Sequence, residues 1–125
     1  MTSGLFDLTG QTALVTGSSM GIGLALAKGL AAHGAAVVVN GRNRDRAETA
    51  AQAIRAEGGK ASVASFDVTD ADAVNRAVAD IEADGPVSIL VNNAGMQFRT
   101  PLEDFPDEKW DELFRTNVTS AYLVG

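Results

Sequence analysis

Cysteine is absent from this 125-residue sequence, and histidine occurs once. The missing cysteines exclude a disulfide framework and a thiolate metal site. Aromatic residues are scarce at 6% while apolar residues reach 46%, so the core must come from Ala, Val and Leu, as where helices pack closely on a sheet. No apolar run approaches the roughly 20 residues that span a bilayer, and no membrane partner is expected. Lys and Arg number 10 against 16 Asp and Glu, a formal charge of −6. With no basic cluster to offset that charge, a nucleic-acid surface is excluded. Met1 to Leu8 carries neither a basic stretch nor a long apolar run, so no signal peptide is expected and a cytoplasmic protein is the default. The length suits one core rather than two.

What is present is concentrated glycine. Thr16-Gly17-Ser18-Ser19-Met20-Gly21-Ile22-Gly23 comes directly after the apolar run Ala13-Leu14-Val15. Glycines between a strand-like run and a helical pattern form a turn that directs backbone N–H groups toward a helix N-terminus. Unpaired amides and the positive end of the helix dipole hold a pyrophosphate there. Taken alone the loop is also compatible with an ordinary tight turn.

The remaining elements come at short spacing. A first strand is expected at Gln11–Thr16 and a helix from Gly21 to His33, with an apolar stripe at Ile22, Leu26 and Leu30. Gly34 is placed to terminate that helix, and His33 to interact with its last carbonyls rather than to catalyse. The β-branched run Ala36–Val39 reads as strand two, ended by Asn40–Asn43, with a helix from Arg44 to Glu57. Strand three spans Ala61–Phe66, and Thr69 with Asp72 reads as a capping box for helix three. Val74, Ala77, Val78 and Ile81 would supply that helix's buried face, and Asp84-Gly85-Pro86 its stop. The carboxylates near Asp67 lack the spacing of a calcium loop.

Strand four, Val87–Val91, leads into Asn92-Asn93-Ala94-Gly95, and a last helix starts near Asp107. Its expected stripe is Trp110, Leu113, Phe114, Asn117, Val118, Ala121 and Tyr122. Asn117-Val118-Thr119 matches a glycosylation sequon by chance, since it falls inside a helix.

Alternating strands and helices predict an α/β fold: a doubly wound, mostly parallel sheet of the Rossmann kind, with helices on both faces. If the winding reverses after strand three, the order is 3-2-1-4 and a crevice opens at the carboxyl ends of strands one and four. The two most unusual loops, Gly17–Gly23 and Asn92–Gly95, would both open onto it. That convergence favours a nucleotide site.

Thr16-Gly17-x-x-x-Gly21-Ile22-Gly23, Asp67-Val68, Asn92-Asn93-Ala94-Gly95 and Asn117 together resemble the short-chain dehydrogenase/reductase family. The resemblance covers essentially the whole chain. It implies that Gly17, Ser18, Ser19, Met20, Gly21, Ile22 and Gly23 hold a pyrophosphate and that Asp67 and Val68 contact adenine. It also implies that Asn93, Ala94 and Gly95 flank the cofactor, and that Asn117 holds a water in a catalytic proton relay. A bland reading of Asn117, bonded to neighbouring backbone, stands beside that one.

Cofactor choice is a matter of charge. An NAD site places a carboxylate at the end of strand two for the ribose 2′-hydroxyl. Here Gly41 holds that position and Arg42 comes next. A guanidinium binds a 2′-phosphate, which a carboxylate would repel, and Ser18 could add a hydroxyl. NADP(H) is favoured, with NAD(H) the alternative.

The family's chemistry also uses a tyrosine, a lysine four residues later and a serine. None of the three can be assigned here: the only tyrosine, Tyr122, lies in the last helix. Residues 1–125 therefore read as the N-terminal, cofactor-binding half of one Rossmann domain, ended by truncation, and inactive at this length. Asn-Ala-Gly-Met-Gln-Phe-Arg-Thr-Pro, with the opening Leu5-Phe6-Asp7-Leu8-Thr9-Gly10, resembles the gluconate 5-dehydrogenase branch of the family. A small hydroxy/keto substrate, a sugar acid, is implied, with Gln97 and Arg99 as candidate contacts to it. The alternatives are a 3-oxoacyl-carrier-protein reductase and a non-catalytic nucleotide-binding fragment. A homodimer or homotetramer is implied for the full-length protein.

Overall fold

A computed structural model describes residues 4–125 and contains a four-stranded sheet: β1 (Thr12–Val15), β2 (Ala36–Gly41), β3 (Lys60–Ser65) and β4 (Ile89–Val91). The order is β3-β2-β1-β4 with every pairing parallel, the doubly wound arrangement expected from the sequence. Helices α1 (Gly21–Ala32), α2 (Arg44–Ala56) and α3 (Ala71–Glu82) succeed the first three strands. Beyond β4 come a 3-10 turn at Leu102–Asp104, α4 (Asp107–Phe114), a π-helical stretch (Arg115–Thr119) and α5 (Ser120–Val124). Met1–Ser3, the start of the stretch read for a leader, lies outside the described residues. Among the described residues, no helix is long and apolar enough to cross a membrane.

Both sheet faces are covered. On one, Ala13, Val15, Val37 and Val39 pack with Ala27 and Ala31 of α1 and with Ala47, Ala50, Ala51 and Ile54 of α2. On the other, Leu14 and Val38 meet Phe66, Val68, Val74 of α3 and Val124 of α5. Val74, Ala77, Val78 and Ile81 form the inner face of α3 as their spacing predicts. Strands buried on both faces explain the unbroken apolar runs.

The expected stripe of α1 is corrected in part: Leu30 packs against the core as expected, but the other two residues do not. Ile22 is 75% exposed and Leu26 41%, whereas Gly23, Ala27 and Ala31 are buried. Small residues let the helix approach the sheet closely, so Ile22 and Leu26 are displaced outward while Leu24 and Leu30 pack at the margin of the core. The end of α1 matches expectation: Gly34 adopts φ +103, and His33 Nδ1 lies 2.9 Å from the Gly29 carbonyl oxygen.

Two further expectations shift. The cap of α3 is Asp70, whose carboxylate accepts from the Ala73 N–H at 3.1 Å, rather than Thr69. The Thr69 hydroxyl instead donates to Asp67 Oδ1 at 2.7 Å. The last helix is interrupted by the π turn, and its buried residues past that point are Ser120 and Val124 rather than Ala121 and Tyr122. A π turn takes an extra residue, which rotates everything after it. Trp110 and Phe114 are half exposed, with centroids 5.0 Å apart, and Phe105 and Phe98 extend the aromatic row. They pack on each other instead of on the sheet.

Candidate functional site

Val15 of β1 pairs with Val39 of β2 on one side and Val91 of β4 on the other. β1 and β4 therefore end at one level while β2 runs two residues further, to Gly41, and the loops leaving them emerge at the same edge of the sheet. Consecutive winding breaks at β1, which is where an open α/β sheet leaves a crevice. Thr16, 1% exposed, joins the two loops there. Its Oγ1 accepts from the N–H groups of Asn93 (3.0 Å) and Ala94 (2.9 Å). Asn93 returns the contact, its Nδ2 donating to the carbonyls of Thr16 (3.2 Å) and Gly17 (3.1 Å). The glycine loop and the asparagine loop are one hydrogen-bonded unit.

Glycine is required at two points of that unit. A Cβ on Gly23 would collide with the Gly17 carbonyl oxygen and lie 2.5 Å from Asn93 Nδ2. Gly17 combines φ +60 with the Ala94 Cα 3.0 Å from where its Cβ would stand. The N-terminus of α1 beside this close approach has no side-chain cap and no acidic residue in its first turn. Among the described residues no protein group accepts from the N–H groups of Ser19, Met20, Gly21 or Ile22. Those donors and the positive helix end are free to receive an anion, so the loop fits a pyrophosphate.

Asn40, read in the sequence only as the end of a strand, is the hub beside this loop. Buried at 2% exposure, it accepts from the Gly17 N–H at 3.0 Å through Oδ1. Its Nδ2 donates to the carbonyls of Ala64 (3.1 Å) and Phe66 (3.2 Å). The available signal was a lone amide at the end of a valine run, which must find partners when buried. Ser18 is placed differently from expectation. Its hydroxyl is fully buried, donates to the Val15 carbonyl at 2.7 Å and accepts from the Asn40 N–H at 3.0 Å. That hydroxyl is committed to the fold, and Ser19 lines the cleft instead. Ser19 Oγ lies 3.1 Å from the position of a Cβ on Gly41, so serine fills the space an acidic side chain would need.

A cleft of about 760 Å³ opens here. Of the residues singled out in the sequence, Gly17, Ser19, Met20, Arg42, Asp67, Val68, Asn93, Ala94 and Gly95 line it. Gly21, Ile22 and Gly23 form the first turn of α1 beside it. The opposite wall, from the end of the chain, carries Glu108, Asp111, Glu112, Arg115 and Thr116. No local pattern marked these residues, because their placement depends on how α4 docks. Gln97 and Arg99 are exposed and do not line the cleft.

Asp67 sits on the floor of the cleft. Partial burial acts to raise its pKa, but the Thr69 hydroxyl and N–H donate to Oδ1 at 2.7 and 2.9 Å and favour the charged form. Arg42 and Arg115 add attraction, and the net result lies below the usual carboxylate range. Asn117 lies in the π-helical stretch with both ends of its amide paired to one residue. Oδ1 accepts from the Met96 N–H at 2.7 Å, and Nδ2 donates to the Met96 carbonyl at 2.9 Å. The backbone-bonded reading of Asn117 is thus what the geometry contains, and it fixes the loop after β4.

Several known proteins are similar to this chain. Gluconate 5-dehydrogenase of Gluconobacter oxydans (strain 621H) is 58% identical over 122 residues, covering 97% of this chain and 48% of the relative. The 5-keto-D-gluconate 5-reductase of Escherichia coli (strain K12) is 43% identical over the same coverage. A crystal structure of a gluconate 5-dehydrogenase from Burkholderia cenocepacia J2315, in complex with NADP and tartrate, superposes with a TM-score of 0.90. It is 48% identical, over 95% of this chain and 47% of that one. The chain spans about half the length of the curated relatives it matches. Residues 11–124 match the family model described as short chain dehydrogenase, and with the glycine and asparagine loops joined over a free helix N-terminus, the chain belongs to the short-chain dehydrogenase/reductase family.

Proposed function

We propose that residues 1–125 are the N-terminal, cofactor-binding half of a single Rossmann-type domain. The whole protein, in this reading, is an NADP(H)-dependent oxidoreductase of the cytoplasm, homodimeric or homotetrameric, that interconverts a secondary alcohol and a ketone on a small sugar acid. The similarity to gluconate 5-dehydrogenases supports the substrate class, and the bound NADP of the Burkholderia relative supports the cofactor. When bound, the nicotinamide would supply or accept the hydride.

Each residue of this chain then has a part. The free N–H groups from Ser19 to Ile22 hold the pyrophosphate, with Gly17, Gly21 and Gly23 giving the backbone its path. Arg42 holds the 2′-phosphate with the Ser19 hydroxyl beside it. Asp67 and Val68 meet the adenine, and Asn93, Ala94 and Gly95 form the β4 side of the cleft. Asn117 fixes the Met96 loop and holds a relay water. Gln97 and Arg99 remain candidates for substrate contact despite lying outside the cleft. The serine, tyrosine and lysine of the family's chemistry have no counterpart here, so the 125-residue chain alone is expected to turn over no carbonyl substrate.

The observation that carries this reading is at the end of β2. Gly41 and Arg42 stand where an NAD site needs a carboxylate, facing the same cleft as the glycine loop. Titration of NADPH and NADH against the wild type and Arg42→Ala tests it. Preference for NADPH should fall about tenfold in the variant, as expected for losing a charge-assisted contact. An unchanged preference would overturn the cofactor assignment.

A further inference from the structure

Arg115 is the first residue of the π-helical stretch, and it lines the same cleft as Arg42 at the end of β2. Its own helix offers carboxylates one turn back, at Asp111 and Glu112. Glu112 is held by Lys109 at 3.1 Å, and among the described residues no carboxylate lies within 4.0 Å of the Arg115 guanidinium. Asp67, Val68 and Thr69 form part of the floor of the same cleft. That floor is anionic and apolar. It repels a phosphate but suits a flat, neutral base whose exocyclic amine can donate to a carboxylate. A planar guanidinium stacks on such a face.

Resting on the reading that this cleft takes an adenine dinucleotide, we propose that Arg115 is a second nucleotide-holding residue, its guanidinium covering a face of the adenine while Arg42 reads the ribose phosphate. Both arginines line the same cleft as Asp67, and both attract its carboxylate. Asp111, four residues before Arg115, lines the cleft as well, so ordinary helical spacing carries the arginine to the same wall.

The division of labour between the two arginines is measurable by calorimetric titration of the full-length chain with 5′-AMP, 2′,5′-ADP, NADH and NADPH. Arg115→Leu should weaken all four about tenfold and leave the NADPH-to-NADH ratio unchanged. Arg115→Lys, which keeps the charge but not the plane, should recover little of the loss. Unfolding midpoints equal to wild type for both variants would confirm an intact fold. Unchanged affinity, a loss confined to the 2′-phosphorylated ligands, or full recovery by lysine would each overturn the proposal. Failure of the wild type to bind any of the four would instead overturn the dinucleotide reading on which it rests.

Discussion

Asn40 and Gly17 are joined across the end of the sheet: the asparagine Oδ1 accepts from the glycine N–H at 3.0 Å. The same side chain donates to the carbonyls of Ala64 and Phe66. One buried amide thereby holds the first loop, β2 and the end of β3 in fixed relation, so the shape of the anion-binding turn depends on a residue that need not touch the anion.

Replacing Asn40 should therefore damage stability and binding together. Asn40→Leu leaves the Gly17 N–H and two carbonyls without their partner. Each unsatisfied buried group costs about 1–3 kcal/mol, so a loss of about 3 kcal/mol or more is expected in urea denaturation. NADPH affinity should fall in the same variant although Asn40 carries no charge. A drop below 0.5 kcal/mol, roughly the scatter of neutral surface changes, would contradict the hub assignment.

Gly23 and Gly21 separate steric need from backbone need. An added methyl at Gly23 meets the Gly17 carbonyl and the Asn93 amide, whereas at Gly21 it meets nothing within 4 Å but must adopt φ +60. Gly23→Ala should push the two loops apart, costing about 1–3 kcal/mol and most of the nucleotide affinity. Gly21→Ala should cost about 1 kcal/mol through backbone strain. Paired melting and NADPH titration check this, and equal loss of binding in both variants would refute the distinction.

The fold was legible because its signals are local: apolar runs, glycine stops and two loops of unusual composition. Strand order and the convergence of the glycine and asparagine loops come from those signals and the rules of parallel winding. What escaped depended on docking. Whether α1 presents Leu26 or Ala27 to the sheet turns on how closely the helix approaches, which spacing alone does not fix. Ser18 and Ser19 are adjacent and chemically identical, and only the path of the turn sends one hydroxyl inward and leaves the other along the cleft. Arg115 lines the cleft with Asp111 and Glu112 because of how α4 docks, which no local pattern reports.

Asp67 should confer a measurable dependence on acid. Its folded pKa is lowered, so the carboxylate adds stability above its unfolded pKa, and that contribution is lost as pH falls through the folded value. Thr69→Ala removes the 2.7 Å hydroxyl bond while leaving the burial that opposes charge. The Asp67 pKa should rise in the variant. Its stability should lie below wild type at neutral pH, and the gap should narrow once both carboxyls are protonated. Carboxyl titration by NMR with urea midpoints at pH 7 and pH 3 tests this, and superimposable titration curves would count against it.

Asn117 offers the last test, because its amide is spent on Met96 at both ends. Asn117→Asp keeps an acceptor for the Met96 N–H but sets a carboxylate against the Met96 carbonyl; Asn117→Ala removes both bonds. These groups are solvent-accessible, so each bond is worth about 1 kcal/mol at most, and the variants should stay folded. Hydrogen exchange should nonetheless accelerate at Met96 and the residues after it, more in the alanine variant than in the aspartate one. If the full-length alanine variant also loses kcat with little change in KM, the asparagine has a part in the chemistry beyond fixing the loop. If exchange at Met96 is unaltered, the amide does not hold the loop in solution, and the π-helical stretch must be positioned by its packing through Ser120 and Val124 instead.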